Sequence, residues 1–462
     1  MQQEFSRRTA LKTIVVLAWP TVLEQILQTA VQYVDSAMVG RIGAQATAAV
    51  GCTTTINWLI NSSIAALSIG FLAYISKALG AQKPNNAKRA AAQAVFVTLI
   101  TGIFFTVAAL ALARFVPVWM RASMEIQKDA GDYFFILYTP MLLRTAVIIF
   151  GTCLRAAGDT KSPLRVNIVV NIVNIVLNFL LIYPSRTMRV FGMDIPMIGA
   201  GMGVQGAALA SAIAFAVGGV GMTLSLFKNQ TISPKGRSFK PSGEILKPCL
   251  KVALPCFLQR FGTSFGYVAF ASMINGLGTT AIAAHSIANT AESAFYIPGY
   301  GMQTAAGTLS GNCYGAGDKA RMKRLSRMLI LIEILLMVVS GAALFICARG
   351  LMGLFTADKA VIALGATVLR MVAVTEPIYG VAVILEGLFQ GVGDTKSCFV
   401  YNIIGMWGVR IFGTFICLKF FGLGLTAAWG CMIAHNILLG TLLTVRYFRG
   451  RWNPLNRLET AK

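Results

Sequence analysis

The chain has 462 residues, of which 56% are hydrophobic and only 12% are charged, and its mean hydropathy is +0.69. Soluble globular proteins carry about 25% charged residues, so this composition excludes an aqueous fold. The net charge of +23 comes from 40 Lys and Arg residues against 17 Asp and Glu residues. The basic residues lie between apolar segments, where cytoplasmic loops and anionic lipid explain them better than nucleic acid does. We therefore predict a polytopic protein of the lipid bilayer with no nucleic-acid partner.

Twelve apolar segments are long enough to cross a bilayer as helices, because a span takes roughly 20 residues. They run near residues 14–39, 46–76, 91–113, 133–154, 165–183, 204–227, 249–275, 281–312, 328–347, 361–390, 398–418 and 424–447. With the amino terminus in the cytoplasm, 27 Lys and Arg residues fall on the inner side, 9 on the outer side and four within segments. This asymmetry predicts a multi-pass protein of the plasma (inner) membrane with both termini in the cytoplasm.

The residues available for covalent or metal chemistry are few. The nine cysteines include no C-x-x-C pair and lie mostly in apolar segments, and the chain has only two histidines. A disulfide framework and a resident metal cofactor are therefore not expected. A membrane-embedded enzyme would need a Ser/His/Asp set, paired acids or a His-rich metal site, and the two separate histidines argue against one. We predict no catalytic residues and no enzyme activity.

The two halves of the sequence share landmarks in one register. The aligned residues are Pro20 with Pro255, Gly43 with Gly278, Gly80 with Gly315 and Gly158 with Gly393, all separated by the same offset. A later pair, 204–210 and 425–431, fits if the second half lacks 14 residues. This repeat predicts an all-α protein of 12 transmembrane helices in two pseudo-symmetric six-helix lobes, related by an axis along the membrane normal. The lobes would comprise residues 1–230 and 251–462, joined by a cytoplasmic linker at 231–250.

A stripe of polar residues marks one face of the first segment. Helical positions advance about 100° per residue, so the stripe falls within an arc of roughly 80°. Its members are Thr21, Glu24, Gln28, Gln32 and Asp35. The fifth segment carries a similar stripe without charge, formed by Asn167, Asn171, Asn174 and Asn178. Amide oxygens can partner a carboxylate that holds a proton or a small cation, and interhelical hydrogen bonding is the alternative.

Further ionisable residues lie within the other segments, where charge is costly unless it is paired or hydrated. His285, Asn289, Glu292 and Tyr296 share one face of the eighth segment. They form a candidate second proton or cation site, or a substrate site, and the alternative is an ion pair between Glu292 and Arg260. Glu376 directly precedes Pro377, where we expect a kink beside a cavity. Glu333 and Glu386 are expected to be packing or loop partners.

The two GDTK turns resemble phosphate loops, but the chain has no GxxxxGK[ST] motif. We interpret Gly158 and Gly393 as helix stops, followed by Asp159 and Asp394 as caps of the next helix. ATP-driven transport therefore has no support in the sequence.

Several stretches together resemble the multidrug and toxic compound extrusion (MATE) family. They are VDSAMVGRIGAQATAAVG at 34–51, IPGYGMQTAAGTLSGNCYGAG at 297–317, and the LRAAGDTKSP and FQGVGDTKS turns. The resemblance covers nearly the whole chain and implies a V-shaped fold of two lobes that exports cationic amphipathic drugs in exchange for H⁺ or Na⁺. It also implies that Asp35 matches the family's first-segment coupling acid, that Asn174 and Asn178 match a fifth-segment polar pair, and that Glu292 matches an eighth-segment acid.

The function expected from these features is secondary antiport by alternating access. Asp35, Asn174, Asn178 and Glu292 would hold H⁺ or Na⁺, with any Na⁺ near Asp35. Glu24, Gln28, Gln32, His285, Glu376 and Tyr296 would form a substrate site or a second coupling site, and Pro20 and Pro255 would act as hinges. The expected partners are a small organic cation and lipid, around a monomeric chain. A flippase for lipid-linked or oligosaccharide precursors shares this architecture and is the alternative.

Overall fold

The computed structural model describes residues 7–120, 122–190 and 193–456, and almost all of them are helical. The helices of the first half are α1 (Arg7–Gly40), α2 (Ala44–Gly80), α3 (Pro84–Leu112), α4 (Val116–Trp119), α5 (Met124–Tyr138), α6 (Met141–Ala156), α7 (Lys161–Leu181) and α8 (Gly203–Lys228). Those of the second half are α9 (Gly243–Asn275), α10 (Thr279–Ala316), α11 (Lys319–Phe355), α12 (Lys359–Ala373), α13 (Glu376–Val392), α14 (Thr395–Ile403), α15 (Phe412–Lys419) and α16 (Leu425–Phe448). A π-helical segment, Ile404–Ile411, joins α14 to α15.

Each predicted apolar segment corresponds to one helix or to helices that continue one another. Within the described residues, eight helices have the length and hydropathy of a membrane span, and ten spans result when each bent pair counts as one. The bent pairs are α5 with α6, at 52°, and α12 with α13, at 54°. The remaining two, α9 and α10, have 33 and 38 residues and are long enough to cross a bilayer but more polar. The prediction of an all-α membrane fold is confirmed.

The duplication is visible in the helix boundaries. The starts of α2 and α10, at Ala44 and Thr279, are separated by the offset of the sequence repeat, and so are those of α3 and α11, at Pro84 and Lys319. The breaks of the two bent pairs, after Tyr138 and after Ala373, have the same separation. The kink expected at Glu376 is therefore present, and its counterpart lies in the first half. Pro20 and Pro255 lie inside the uninterrupted helices α1 and α9, so the hinges stay a prediction.

One loop departs from the expected all-helical structure. Between α7 and α8, strands β1 (Pro184–Val190) and β2 (Met193–Ala200) pair as an antiparallel hairpin, with Thr187 opposite Pro196. This hairpin lies between the fifth and sixth apolar segments, for which the sequence predicts no strand. Thr and Val residues in β1 and Ile residues in β2 favour an extended backbone, and local pairing satisfies the backbone groups.

The chain forms two compact units, which differ from the predicted lobes at α1 and α2. One unit comprises the described residues of Met1–Gln25, Leu72–Pro84 and Lys247–Lys462, and the other comprises Ile26–Phe71 and Asn85–Leu246. Helix α1 thus contributes to both units, and it passes from one to the other shortly after Pro20. The division into lobes at 231–250 remains a prediction.

The connection between α8 and α9 is held to α3 rather than free along its length. Gln93 of α3 donates its side-chain amide to the backbone oxygen of Lys240 at 2.8 Å and accepts the backbone N–H of Ser242 at 2.9 Å. Ile232 in the same connection is fully buried. Helix α9 begins at Gly243, so the last part of the predicted linker is helical.

Small residues allow the helices of the unit that contains residues 247–462 to pack closely. Ala10, Ile14 and Ala18 of α1 belong to one buried cluster with Ala306 and Leu309 of α10. In lipid the hydrophobic effect does not drive helices together, and close van der Waals packing of small residues takes its place. This packing fixes the first part of α1 against the unit that contains α10.

Candidate functional site

Asp35, near the end of α1, is hydrogen-bonded to the fifth-segment amides. The Asn178 side chain of α7 donates to the Asp35 carboxylate at 2.6 Å and lies 3.2 Å from the side-chain oxygen of Asn174. Asn174 in turn donates to the Ser211 hydroxyl of α8 at 3.1 Å. Both asparagines are buried. The structure thus joins the carboxylate and the two amides that the sequence singled out, and it adds Ser211, for which the sequence gave no signal.

The oxygens around Asp35 are candidate ligands for a small cation, but they do not all face one point. The side-chain oxygen of Asn178 is buried and has no hydrogen-bond partner among the described residues. It points away from the Asp35 carboxylate and the Asn174 oxygen, because the N–H groups of the same amide donate to both, so Na⁺ would contact all three oxygens only after this amide turns over. Within the same residues, no group of three His, Cys, Asp or Glu side chains could hold a metal ion.

The end of α1 is fixed around Asp35 by a second set of contacts. The Tyr183 hydroxyl donates to the backbone oxygen of Met38 at 2.9 Å. Tyr133 of α5 is close enough to the charges of Asp35 and Arg144 to interact with both electrostatically. Arg144 of α6 is buried, with its guanidinium 4.4 Å from the ring centroid of Phe215. The unit that contains Asp35 therefore also contains a buried cation.

The rest of the first-segment stripe does not gather around Asp35. Thr21 and Glu24 are buried and belong to the other unit, while Gln28 and Gln32 are exposed. The Thr21 hydroxyl lies 2.9 Å from the backbone oxygen of Gly301. The fifth-segment stripe is likewise divided between the Asn174–Asn178 pair and two other residues, the buried Asn167 and the half-buried Asn171.

The eighth-segment group, now on α10, lies beside Arg410. Glu292 is buried, and its carboxyl group interacts electrostatically with the guanidinium of Arg410. The His285 ring accepts a hydrogen bond from the Trp429 indole at 3.2 Å, whereas Asn289 is exposed. Arg260 is not the charge next to Glu292, because it acts on Glu386 instead. The alternative pairing of Glu292 with Arg260 is therefore wrong.

Three tyrosines form a cluster next to this group. Tyr296 packs edge-on against Tyr300 and Tyr379, with ring centroids 5.9 and 5.7 Å away. The hydroxyls of Tyr300 and Tyr379 lie 2.9 Å apart. Because Tyr379 lies on α13, these contacts link α10 to the second part of a bent span.

Two buried acids lie near the bend between α12 and α13. Glu376 begins α13 at the bend, and one of its carboxyl oxygens has no hydrogen-bond partner among the described residues. Glu333 of α11 is fully buried, and neither of its oxygens has a partner there. Methyl groups on Gly299 of α10 or Gly380 of α13 would lie 2.6 and 3.3 Å from a Glu333 oxygen. Glu333 is thus a packing partner, as expected, although one placed where α10, α11 and α13 meet.

Glu386 has a more elaborate environment than the sequence indicated. Gln259 of α9 and Gln303 of α10 donate to its two oxygens at 3.2 and 3.4 Å, and Asn402 of α14 donates to the first. Four helices therefore meet at one carboxylate. The partners of this acid could not be identified from the sequence, because they lie on three other helices.

The turns between α6 and α7 and between α13 and α14 each end the preceding helix at a glycine. Gly158 and Gly393 have φ angles of 83° and 87°, which favour glycine. Asp159 accepts the backbone N–H of Ser162 at 3.0 Å, as a cap does. Asp394 caps no backbone N–H and instead forms an ion pair with Arg446 at 2.6 Å, so the prediction of a cap is wrong there.

Comparisons with known proteins agree with this architecture. The family model described as MatE matches residues 20–180 and 255–416, two stretches whose starts are separated by the offset of the sequence repeat. A probable multidrug resistance protein NorM of Thermotoga maritima is 27% identical over 441 residues, covering 96% of this chain and 93% of that protein. A probable multidrug resistance protein YpnP of Bacillus subtilis is 25% identical over 472 residues, covering 99% of each. A solved MOP superfamily transporter from Pyrococcus furiosus has a TM-score of 0.87 at 23% identity over 97% of both chains.

The family match covers more than half of the chain and falls separately on each half. The likeness to a solved transporter extends over nearly the full length and shows the same fold. The chain therefore belongs to the MatE family, the multidrug and toxic compound extrusion transporters.

Proposed function

We propose that the protein is a secondary antiporter that exports cationic amphipathic compounds across the plasma membrane in exchange for H⁺ or Na⁺. Family membership supports transport, and the named relatives from Thermotoga maritima and Bacillus subtilis are described as multidrug resistance proteins. Neither relative gives support to the flippase alternative. No step of this function requires a catalytic residue or a resident cofactor.

The observation that carries the proposal is the hydrogen bond of 2.6 Å between Asp35 and Asn178. An ionised Asp35 accepts this amide, whereas a proton or a Na⁺ ion on the carboxylate changes the preferred orientation of the amide. Asn174 and Ser211 continue the chain of hydrogen bonds to α8. Binding of the ion therefore alters contacts among α1, α7 and α8, and a ligand shifts a conformational equilibrium by its difference in affinity for the two states.

The remaining predicted residues have secondary roles in this proposal. Glu292, His285 and Tyr296, with Glu376 nearby, form a second polar group in the C-terminal half. Pro20 and Pro255 would allow α1 and α9 to bend as access alternates. The proposal also takes the working unit to be a monomer with cytoplasmic termini.

The direct test is ethidium efflux from lipid vesicles that contain the purified full-length protein. A pH gradient and a Na⁺ gradient are imposed separately, and the gradient that drives efflux identifies the coupling ion. Asp35→Asn should abolish gradient-driven efflux while the protein remains folded by thermal melting. Efflux by this variant at the native rate, or native efflux that neither gradient drives, would refute the proposal.

Asp132→Asn is a matched control in the same unit. Asp132 also accepts a side-chain amide, but from Gln205 of α8 at 3.1 Å rather than from Asn178. Ethidium efflux by the Asp132→Asn variant should remain close to the native rate. Equal losses in both variants would show that any carboxylate–amide pair of this unit is needed for folding, which would remove the special role of Asp35.

A further inference from the structure

Cys417 and Cys431 form a close pair of thiols near the ends of two neighbouring helices. Cys417 lies in the last turn of α15, Cys431 lies in the second turn of α16, and their sulfur atoms are 3.8 Å apart. At this distance one thiol donates a weak hydrogen bond to the other. Both residues are half-buried, whereas five of the other cysteines are buried. The pair therefore combines close contact with partial access from outside the protein.

A glycine of α15 allows the two helices to approach each other closely at this pair. A methyl group on Gly413 would lie 3.2 Å from the sulfur of Cys431 and 3.8 Å from its Cβ. The Cys431 side chain therefore packs against the backbone of α15, as small residues allow between helices in lipid. Cys417 follows Gly413 by four residues and lies on the same face of α15. The two cysteines thus occupy facing surfaces of α15 and α16.

The geometry of the pair is close to that of a disulfide. The S–S bond of a disulfide is about 2.05 Å long, so the sulfur atoms need to approach each other by somewhat less than 2 Å. Rotation of the two side chains between staggered rotamers moves the sulfur atoms over such distances. The sequence gave no signal for this pair, because the two cysteines lie in different apolar segments.

We propose that Cys417 and Cys431 form a disulfide bond that ties the outer end of α15 to α16 in the native membrane. The predicted orientation, with both termini in the cytoplasm, puts residues 420–424 between these helices on the outer side of the membrane. Disulfides form and persist in that compartment, whereas the cytoplasm keeps thiols reduced. The bond anchors the helix that follows the π-helical segment, and it is independent of the proposed export function.

The oxidant required is the disulfide of a thiol oxidoreductase on the outer side of the membrane. The thiolate of one cysteine attacks a sulfur of this disulfide, expels the other sulfur as a thiolate and forms a mixed disulfide. The thiolate of the second cysteine then attacks the sulfur of the first, and the oxidant leaves as a dithiol. The two cysteines lose two protons and two electrons in total, and the oxidant takes up both.

The test uses the position of Lys419, which separates the two cysteines into different tryptic peptides, 411–419 and 420–446. Cells that produce the full-length protein are treated with N-ethylmaleimide to block free thiols, and the protein is then denatured and digested without reduction. Mass spectrometry should find the two peptides joined, with the loss of two hydrogen atoms. Dithiothreitol should separate them. Recovery of both peptides with N-ethylmaleimide on their cysteines would overturn the proposal.

Cys417→Ser and Cys431→Ser should each abolish the joined peptides, and Cys347→Ser is the matched control. Cys347 of α11 is exposed and lies outside the pair, so its substitution should leave the joined peptides unchanged. Cys431 joined mainly to other cysteines in the native protein would indicate random oxidation and would also overturn the proposal.

A second measurement reports whether the bond ties the helices together. A disulfide restricts the unfolded chain, so the oxidised native protein should melt about 2–5 °C above the reduced protein. The reductant should not change the melting temperature of Cys417→Ser. Equal melting temperatures of the oxidised and reduced native protein would overturn the tie between α15 and α16. Ethidium efflux is read separately, so its absence refutes only the export function, and the absence of joined peptides refutes only the disulfide.

Discussion

Gly80 and Gly315 make the same contact in opposite directions. A methyl group on Gly80 would overlap the backbone oxygen of Asn312, and a methyl group on Gly315 would overlap the backbone oxygen of Lys77. The two glycines are separated by the offset of the sequence repeat, and so are the two residues whose carbonyl groups they meet. A pair of contacts exchanged in this way is the signature of a two-fold interface, here formed within one chain by α2 and α10.

The same seam continues along both helices toward their amino ends. A methyl group on Gly307 would lie 3.1 Å from a Leu72 methyl group, and one on Gly311 would overlap the Ser76 hydroxyl. Each of these pairs joins two positions that the sequence repeat aligns with each other. Equivalent residues that meet each other at successive turns place the local two-fold axis along the helices. The orientation of this axis along the membrane normal stays a prediction from the sequence repeat.

We predict that Gly80→Ala and Gly315→Ala each destabilise the protein by about 1–3 kcal/mol, the usual cost of forcing a methyl group into a packed interface. The apparent melting temperature in detergent measures the effect. Gly350→Ala is the control, because a methyl group on this exposed residue of α11 meets nothing within 4 Å and alanine favours a helix. Its melting temperature should stay the same or rise, and a loss equal to that of Gly80→Ala would contradict the seam.

The helices were predictable because hydropathy and the repeat report independent properties of the same segments. Gly80 and Gly315 lie at or next to the ends of α2 and α10, whereas other helices extend beyond the predicted segments by up to nine residues, as at the start of α11. The hairpin and the π-helical segment were not predictable in this way. One depends on local strand pairing within a loop, and the other changes the backbone period of a helix without changing its apolar composition.

The site was predictable only where a contact joined two periodic stripes. Asp35 and Asn178 each lie on a polar stripe of an apolar helix, and such stripes must face one another or water. Glu292 and Arg410 are polar residues of two different segments, and the sequence does not show that their charges interact. The pairing of Glu292 with Arg260 was wrong for the same reason, since the sequence does not reveal which faces of α9, α10 and the π-helical segment meet.

Substitutions along the Asp35 hydrogen-bond chain should have graded effects. Asn178→Ala removes the direct donor to Asp35, and a hydrogen bond to a charged group contributes about 1.5–3 kcal/mol, so coupled efflux should fall about tenfold or more. Ser211→Ala acts one step further away and removes a neutral hydrogen bond, which contributes about 1 kcal/mol, so efflux should fall less, by about fivefold. Ethidium efflux at a fixed gradient measures both. A larger loss in Ser211→Ala than in Asn178→Ala would contradict the order of the chain.

Gln93→Ala should release the connection between α8 and α9. The side chain of Gln93 holds the backbone at Lys240 and Ser242, and loss of both hydrogen bonds exposes the segment to local opening. Trypsin should cleave this variant after Lys235 or Arg237 several-fold faster than the native protein. Gln127→Ala, which removes only a local bond to the oxygen of Ala122, should not change the rate.

The same cleavage reports the predicted orientation of the protein in the membrane. If the connection is cytoplasmic, added trypsin should cut it in inside-out vesicles and leave it intact in right-side-out vesicles. Cleavage only in right-side-out vesicles would reverse the topology, and an unchanged cleavage rate in Gln93→Ala would show that other contacts hold the connection.

The ion pair between Asp394 and Arg446 should stabilise the protein more than the pair between Arg89 and Glu244. Arg446 binds Asp394 through two nitrogens, at 2.6 and 3.1 Å, and both side chains are 17% exposed. The Arg89–Glu244 contact of 3.0 Å has side chains that are 46% and 79% exposed. Breaking a fully buried pair costs about 3–5 kcal/mol and an exposed pair contributes about 0–1 kcal/mol, so we expect about 2 kcal/mol for Arg446→Gln and less than about 0.5 kcal/mol for Arg89→Gln.

Thermal melting of the two variants at low and high salt separates the contributions. Salt screens exposed charges more than partly buried ones, so only the small effect of Arg89→Gln should disappear at high salt. Asp394→Asn should resemble Arg446→Gln, and the double variant should lose less than the sum because both changes remove one interaction. Additive losses would mean that Arg446 stabilises the protein through partners other than Asp394.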